Sequence, residues 1–255
     1  MEGRVALITG AAGDLGRAAA LHLAAEGATI VACDLGGAAA RLDETVDACR
    51  TITMDRAGEA SPRPALSVAF DVTDAAAVDA AVAQVTAEVG PPDAVFNNAG
   101  YQGQFGGTAE YDSADFGRVL DINVTGAFNV LRACARALIA ADRPGAIVNT
   151  ASMAKTGPPN MVAYGASKAA VVAMTRTAAK DLAPHTIRVN SVSPAFIGPG
   201  QMWDRQVELQ ASTPSQYYSD DPETVAAEMI GQVPLRRYGS LDEVASVVRF
   251  LLSDE

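Results

Sequence analysis

The sequence predicts an α/β fold in which helices cover both faces of a doubly wound parallel sheet, built as one domain over residues 1–255. Three observations predict it. Short runs rich in valine, isoleucine and alanine alternate from end to end with longer stretches rich in alanine and leucine, the pattern of repeated βαβ units. Most of the short runs are apolar at nearly every position, as strands covered on both faces are. The first run also leads straight into a glycine-rich turn that opens a helix.

In chain order, strands are expected at residues 5–9, 28–33, 66–70, 94–96, 146–149 and 188–192, where β-branched and apolar residues cluster. Helices are expected between them at 15–26, 38–53, 75–89, 116–140 and 162–182, where apolar positions recur at helical spacing. Asp74 and Ser240 stand where N-caps belong, and Gly27 and Gly90 where helices stop. Residues 55–64 lack periodicity and read as a surface loop. A segment at 200–231 and a last helix at 241–252 complete the chain.

Composition narrows the function. With 255 residues, 49% of them hydrophobic, the chain can bury a large core without disulfide or metal staples. Nineteen Lys and Arg against thirty Asp and Glu leave a net charge of −11, which repels nucleic acid and anionic membranes. Cys33, Cys49 and Cys134 have neither framework nor zinc spacing. They read as packing residues in a reducing, cytoplasmic setting, and His22 and His185 as structural. No apolar run is long enough to span a bilayer, and no signal peptide is evident. No metal is expected.

The turn Gly10-Ala11-Ala12-Gly13-Asp14-Leu15-Gly16 follows the first strand. Glycines there allow a tight turn and close approach of backbone to a pyrophosphate at a helix N-terminus. Asp34 closes the second strand eighteen positions after Gly16, near the offset of roughly 20 residues at which a carboxylate meets ribose hydroxyls. It would repel a 2′-phosphate, and Leu35 follows it rather than an arginine. A Rossmann-like fold binding NAD rather than NADP is therefore expected.

Asn97-Asn98-Ala99-Gly100 follows the fourth strand, Asn123 lies within a helix, Ser152 follows the fifth strand, and Tyr164 and Lys168 stand four apart. In this order they resemble the short-chain dehydrogenase/reductase family over almost the whole chain. Alcohol oxidation needs a base, and a free tyrosine, with pKa about 10, is a poor one at neutral pH. Lys168, one helical turn on, is expected to favour the phenolate with the help of the positive nicotinamide ring. The resemblance implies that Lys168 also holds the nicotinamide ribose, that Ser152 bonds the reacting oxygen, and that Asn123 positions a water. It implies a structural role for Asn97. It further implies cofactor contacts from Asp71, Val72, Asn98, Ala99, Gly100, Pro194 and Ile197, with a capping or loop role open for Asp71.

The stretches around Tyr101-Gln102-Gly103, Asn160-Met161, Gln201-Met202-Trp203 and residues 205–210 and 233–239 are similar to polyol-oxidising members of the family. This implies oxidation of xylitol to D-xylulose. Gln102, Asn160 and Gln201 are candidate donors and acceptors for a polyol, and Trp203 or Met202 a lid within a segment at about 196–231. Surface or interface roles stay open for each. The alternatives are another carbonyl or alcohol substrate, such as a hydroxysteroid, a 3-oxoacyl thioester or a small ketone, or an NAD-binding regulator without turnover.

Three departures from the family matter. Asp14 replaces the middle glycine, and because a carboxylate facing a pyrophosphate is repulsive it is expected to cap the helix or point to solvent. The Ser152–Tyr164 loop is one residue shorter than usual. Ala195 and Pro199 replace a glycine and a threonine, leaving carboxamide contact to backbone near Ile197. The family also continues into a seventh strand after residue 255, and its members are usually tetramers joined through the helices at 116–140 and 162–182.

Overall fold

The computed structural model describes residues 1–57 and 65–255. Six parallel strands, β1 (Val5–Thr9), β2 (Thr29–Asp34), β3 (Ala65–Ala69), β4 (Ala94–Asn97), β5 (Gly145–Thr150) and β6 (Ile187–Val192), form one sheet in the order β3-β2-β1-β4-β5-β6. The order reverses between β1 and β4, which makes that boundary the topological switch at which open α/β sheets bind ligands.

Helices α1 (Asp14–Ala25), α2 (Ala39–Ala57), α3 (Ala75–Val89), α4 (Ser113–Leu120), α5 (Ala127–Ala140) and α6 (Val162–Leu182) form the crossovers. Each face of the sheet has its own core. Ile8, Ile30, Phe96 and Val148 pack with α1 residues such as Leu23 on one side. Leu7, Val31, Val95 and Ile147 pack with Val82 of α3 and Leu138 of α5 on the other. The alternation of these residues along each strand is why the strands read as unbroken apolar runs.

Strand and helix ends differ from the sequence expectation by a residue or two, except in helix α2. That helix continues to Ala57 into the expected loop, whose remaining residues 58–64 lie outside the described residues. Asp74 caps α3 by accepting the Ala76 and Ala77 N–H groups, and Ser240 forms a capping box with Glu243 on helix α9 (Leu241–Leu252).

The single helix expected over 116–140 is a correction. It starts at Ser113, because Asp112 caps it there, and its middle turns, Asp121–Gly126, are π-helical. The wider turn is held by Asn123, whose side chain bonds to the backbone of Tyr101 rather than continuing a solvent-facing helix surface. The segment after β6 forms α7 (Gln201–Ser212) and α8 (Pro222–Gly231), which share a small apolar cluster of Trp203, Val207, Ala211, Val225 and Met229.

Candidate active site

A cavity of about 1380 Å³ opens along the carboxyl ends of the strands. At one end β1 passes into the glycine turn. Gly10 has φ +67°, and a Cβ there would stand 3.1 Å from the Ala99 Cα. At Gly16 a Cβ would meet the Gly10 carbonyl oxygen at 2.2 Å, so helix α1 seats on the turn only because no side chain intervenes. Gly13, Asp14 and Leu15 line the cavity at the helix N-terminus, where free N–H groups and the dipole favour an anion.

Asp34 also lines the cavity. Its carboxylate accepts the Ala12 N–H at 2.9 Å and the Leu35 N–H at 2.8 Å, tying the end of β2 to the glycine turn. Two carboxylate oxygens retain lone pairs for a diol. The bare cradle and the adjacent carboxylate fit the pyrophosphate and adenosine ribose of a dinucleotide.

Asp14 does not cap α1: the N-cap is Gly13, without a side-chain bond. Its carboxylate, one-third exposed, pairs instead with Arg41 at 3.2 Å. The expectation of a cap is corrected, and the physical reason is that an arginine on α2 reaches across the turn and draws the charge aside. Asp71 accepts both the N–H and the hydroxyl of Thr73 at 2.8 Å, the loop role left open for it, while still lining the cavity beside Val72.

Asn98 bonds Thr9 and Thr150, and the Thr9 hydroxyl accepts the N–H groups of Asn98 and Ala99, which locks the β4 end to β1. Asn97 donates to the Ala127 carbonyl and to Asn149, a buried link between sheet and helix α5. These bonds hold Asn98, Ala99 and Gly100 along the cavity wall.

The remaining constellation sits beyond them. Ser152 lines the cavity, caps the turn Met153–Thr156 by accepting the Ala154 N–H at 3.1 Å, and lies within reach of the Pro194 carbonyl at 3.5 Å. The shortened loop therefore leaves it anchored. Tyr164 and Lys168 lie on one face of α6; the Lys168 Nζ is 5.4 Å from the centre of the Tyr164 ring and donates to the Thr150 carbonyl at 2.8 Å. Burial pulls the Lys168 ammonium down to about 8. It pushes the Tyr164 phenol up to about 12, with the Ser152 hydroxyl acting the other way.

In the protein alone, desolvation of the phenolate is the largest influence on Tyr164, and the positive nicotinamide ring on which the expected activation also depends is not part of that balance.

Asn123 is 1% exposed. Its side chain accepts the Tyr101 N–H at 2.7 Å and donates to the Tyr101 carbonyl at 2.8 Å and to Ser167 at 3.0 Å. A Cβ on Gly100 would stand 3.2 Å from the Asn123 Oδ1 and 3.6 Å from the Lys168 Nζ, so these three residues converge.

Of the expected polyol contacts, Gln102 and Trp203 line the cavity, as does the exposed Met202. Gln102 bonds Gln206 and Arg205. Trp203 is 9% exposed, packed between Phe196 and Tyr238 with ring centres 5.8 Å apart in each case. Asn160 is a correction: it is not among the cavity residues. It takes φ +66° and turns its amide to Gln210, at 3.1 Å. Gln201 opens α7, and its side chain lies outside the described residues. Pro194 and Ile197 line the cavity, with Ile197 bridged to Gly239.

The cavity also holds residues to which sequence reasoning assigned no individual role. Arg205, Gln206 and Gln210 of α7 line it, and so do Tyr101 and Arg118. Asp115 accepts the hydroxyls of Tyr101 and Tyr111 and the Gln104 N–H; burial works against its ionised form, but these bonds together hold it below the usual carboxylate range. No local motif marks this cluster, since its members meet only when α4 and α7 dock over the Asn98–Gly100 turn.

Comparison with known proteins agrees with this geometry. The family model described as short chain dehydrogenase matches residues 4–210. Levodione reductase of Leifsonia aquatica is 36% identical over 253 residues, 99% of this chain and 88% of the relative. Sorbitol dehydrogenase of Cereibacter sphaeroides is 33% identical over 257 residues, 100% of this chain and 92% of the relative. The solved structure of NAD+-bound xylitol dehydrogenase superposes with a TM-score of 0.93 at 51% identity, covering 99% of this chain and 93% of that one. With its glycine cradle, its switch-point cavity and its paired tyrosine and lysine, the chain belongs to the short-chain dehydrogenase family and is an oxidoreductase.

Proposed function

We propose that the protein is an NAD-dependent polyol dehydrogenase that oxidises xylitol to D-xylulose, and that reversal reduces the ketose. One observation carries the reading: a cavity with a bare glycine cradle and Asp34 at one end ends, at the other, in Tyr164, Ser152 and a wall of amide side chains. The likeness to the NAD+-bound xylitol dehydrogenase structure supports both cofactor and substrate, and a carveol dehydrogenase structure in complex with NAD supports the cofactor.

The glycine turn and Asp34 would hold NAD, which would supply a hydride acceptor and a positively charged ring. The chain's own residues do the rest. Ser152 presents a hydroxyl to the reacting oxygen from the cap of a short turn that its own side chain stabilises. Tyr164 takes the alcohol proton at its phenolic oxygen. Lys168, anchored on Thr150, holds a charge that favours the phenolate once a second cation offsets the desolvation that otherwise keeps the phenol protonated. Asn123 fixes the Tyr101 backbone and the π-helical turn beside Lys168, so that the lysine's surroundings stay in register with the cavity. Asp34 receives ribose hydroxyls and disfavours a 2′-phosphate.

The same reading places α7 and α8 as the substrate lid and the protein in the cytoplasm as a homotetramer, an assembly supported by exposed Phe128 and Ile139 on α5. Light scattering measures the assembly. The decisive experiment is the initial rate of NADH formation with xylitol beside sorbitol, mannitol and cyclohexanol. Preference for xylitol is expected; turnover confined to a non-polyol would overturn the substrate, and no turnover despite NAD binding would overturn the enzyme reading.

A further inference from the structure

Resting on the polyol reading, we propose that Gln210 is a specificity-determining residue that donates a hydrogen bond to a substrate hydroxyl away from the reacting carbon, with Asn160 as its positioning residue. Gln210 is 1% exposed, yet it lines the cavity. A buried primary amide carries four hydrogen-bonding positions, and leaving its donors unused in the interior is unfavourable. Its Oε1 accepts the Asn160 Nδ2 at 3.1 Å. Its Nε2 has no partner among the described residues, and it is not one of the side-chain nitrogens sealed from solvent. For so buried a residue, the access that Nε2 keeps is through the cavity.

The arrangement sets the direction of the amide. Asn160 occupies the left-handed region at φ +66°, a conformation asparagine tolerates, and its carbonyl accepts the Gly106 N–H at 2.9 Å. The backbone there is held by that bond, and the Asn160 side-chain amide donates to the oxygen of Gln210. The nitrogen of Gln210 is left for the cavity. Asn160 lies four residues before Tyr164, which couples this donor to the same end of the site as the base. A simple secondary alcohol has no hydroxyl beyond the reacting one to offer it, whereas a polyol does. The glutamine thus selects for the class of substrate and not for the reaction.

The test is the ratio of kcat/KM for xylitol to that for cyclohexanol in wild type, Gln210→Met and Asn160→Gly, with NAD affinity and Tm measured alongside. Methionine keeps the volume and removes the donor; glycine keeps the left-handed backbone and removes the brace. The ratio is expected to fall about tenfold or more in Gln210→Met, through a raised KM for xylitol, and by a smaller factor in Asn160→Gly. If Gln210→Met does not fold, Asn160→Gly decides. A ratio within twofold of wild type in a folded variant would overturn the role of Gln210 while leaving the polyol reading intact. A wild type without preference for xylitol would overturn the polyol reading and this inference with it.

Discussion

The Nζ of Lys168 stands 5.4 Å from the centre of the Tyr164 ring and donates to the Thr150 carbonyl at 2.8 Å. The lysine is thus anchored to the end of β5 and reaches the tyrosine through space, and burial acts on the two groups in opposite senses. It favours the neutral lysine and the neutral phenol alike.

Tyr164→Phe removes the base without altering the ring packing. NAD affinity is expected to stay within about threefold by fluorescence titration, while kcat falls by about 10²–10⁴, the usual worth of a positioned acid or base. Undiminished turnover would exclude the mechanism.

Lys168→Met is expected to abolish most turnover and yet raise stability. A lysine at about 8 in the fold, against an ordinary value of 10.5, marks a buried ammonium that opposes folding at neutral pH by about 3 kcal/mol, less the lost Thr150 bond. Because the folded pKa is lowered, the unfolded chain holds more protons between about pH 8 and 10.5, and wild-type stability rises with pH across that window. The Tm advantage of the variant should therefore be full below pH 8 and shrink above it. A wild type more stable than the variant at pH 7 would contradict the assignment.

Tyr164 titrates the other way. Its folded pKa of about 12 exceeds the ordinary value of 10.0, so a difference absorbance titration of wild type minus Tyr164→Phe should show its phenolate near pH 12 in the protein alone. Saturating NAD should move that step downward. An unmoved step would mean that the base is not activated by cofactor charge.

Asp34→Ser should lower the kcat/KM ratio of NAD to NADP by more than tenfold, since it removes both the diol acceptor and the repulsion toward a 2′-phosphate. It also loosens the glycine turn, because the Ala12 N–H loses its partner. Gly16→Ala should be harsher: a Cβ 2.2 Å from the Gly10 oxygen cannot be accommodated without moving α1. NAD binding should fall at least tenfold, with a loss of roughly 1–3 kcal/mol in stability by denaturant titration.

The order of strands and helices, the glycine turn, Asp34 and the pairing of Tyr164 with Lys168 were all legible in the sequence. Each depends on local spacing or on apolar runs that the chain carries wherever it goes. The sequence by itself therefore determined the α/β architecture and the family. What the tertiary structure decided was which polar groups face one another. Asn160 turned out to brace Gln210 instead of lining the cavity, Asp14 to pair with Arg41 instead of capping its helix, and Asn123 to hold the backbone of Tyr101 from within a π-helical turn. The physical reason is common to all three: burial and partner choice depend on residues distant in the chain, brought together only by tertiary packing, and no periodicity encodes that approach.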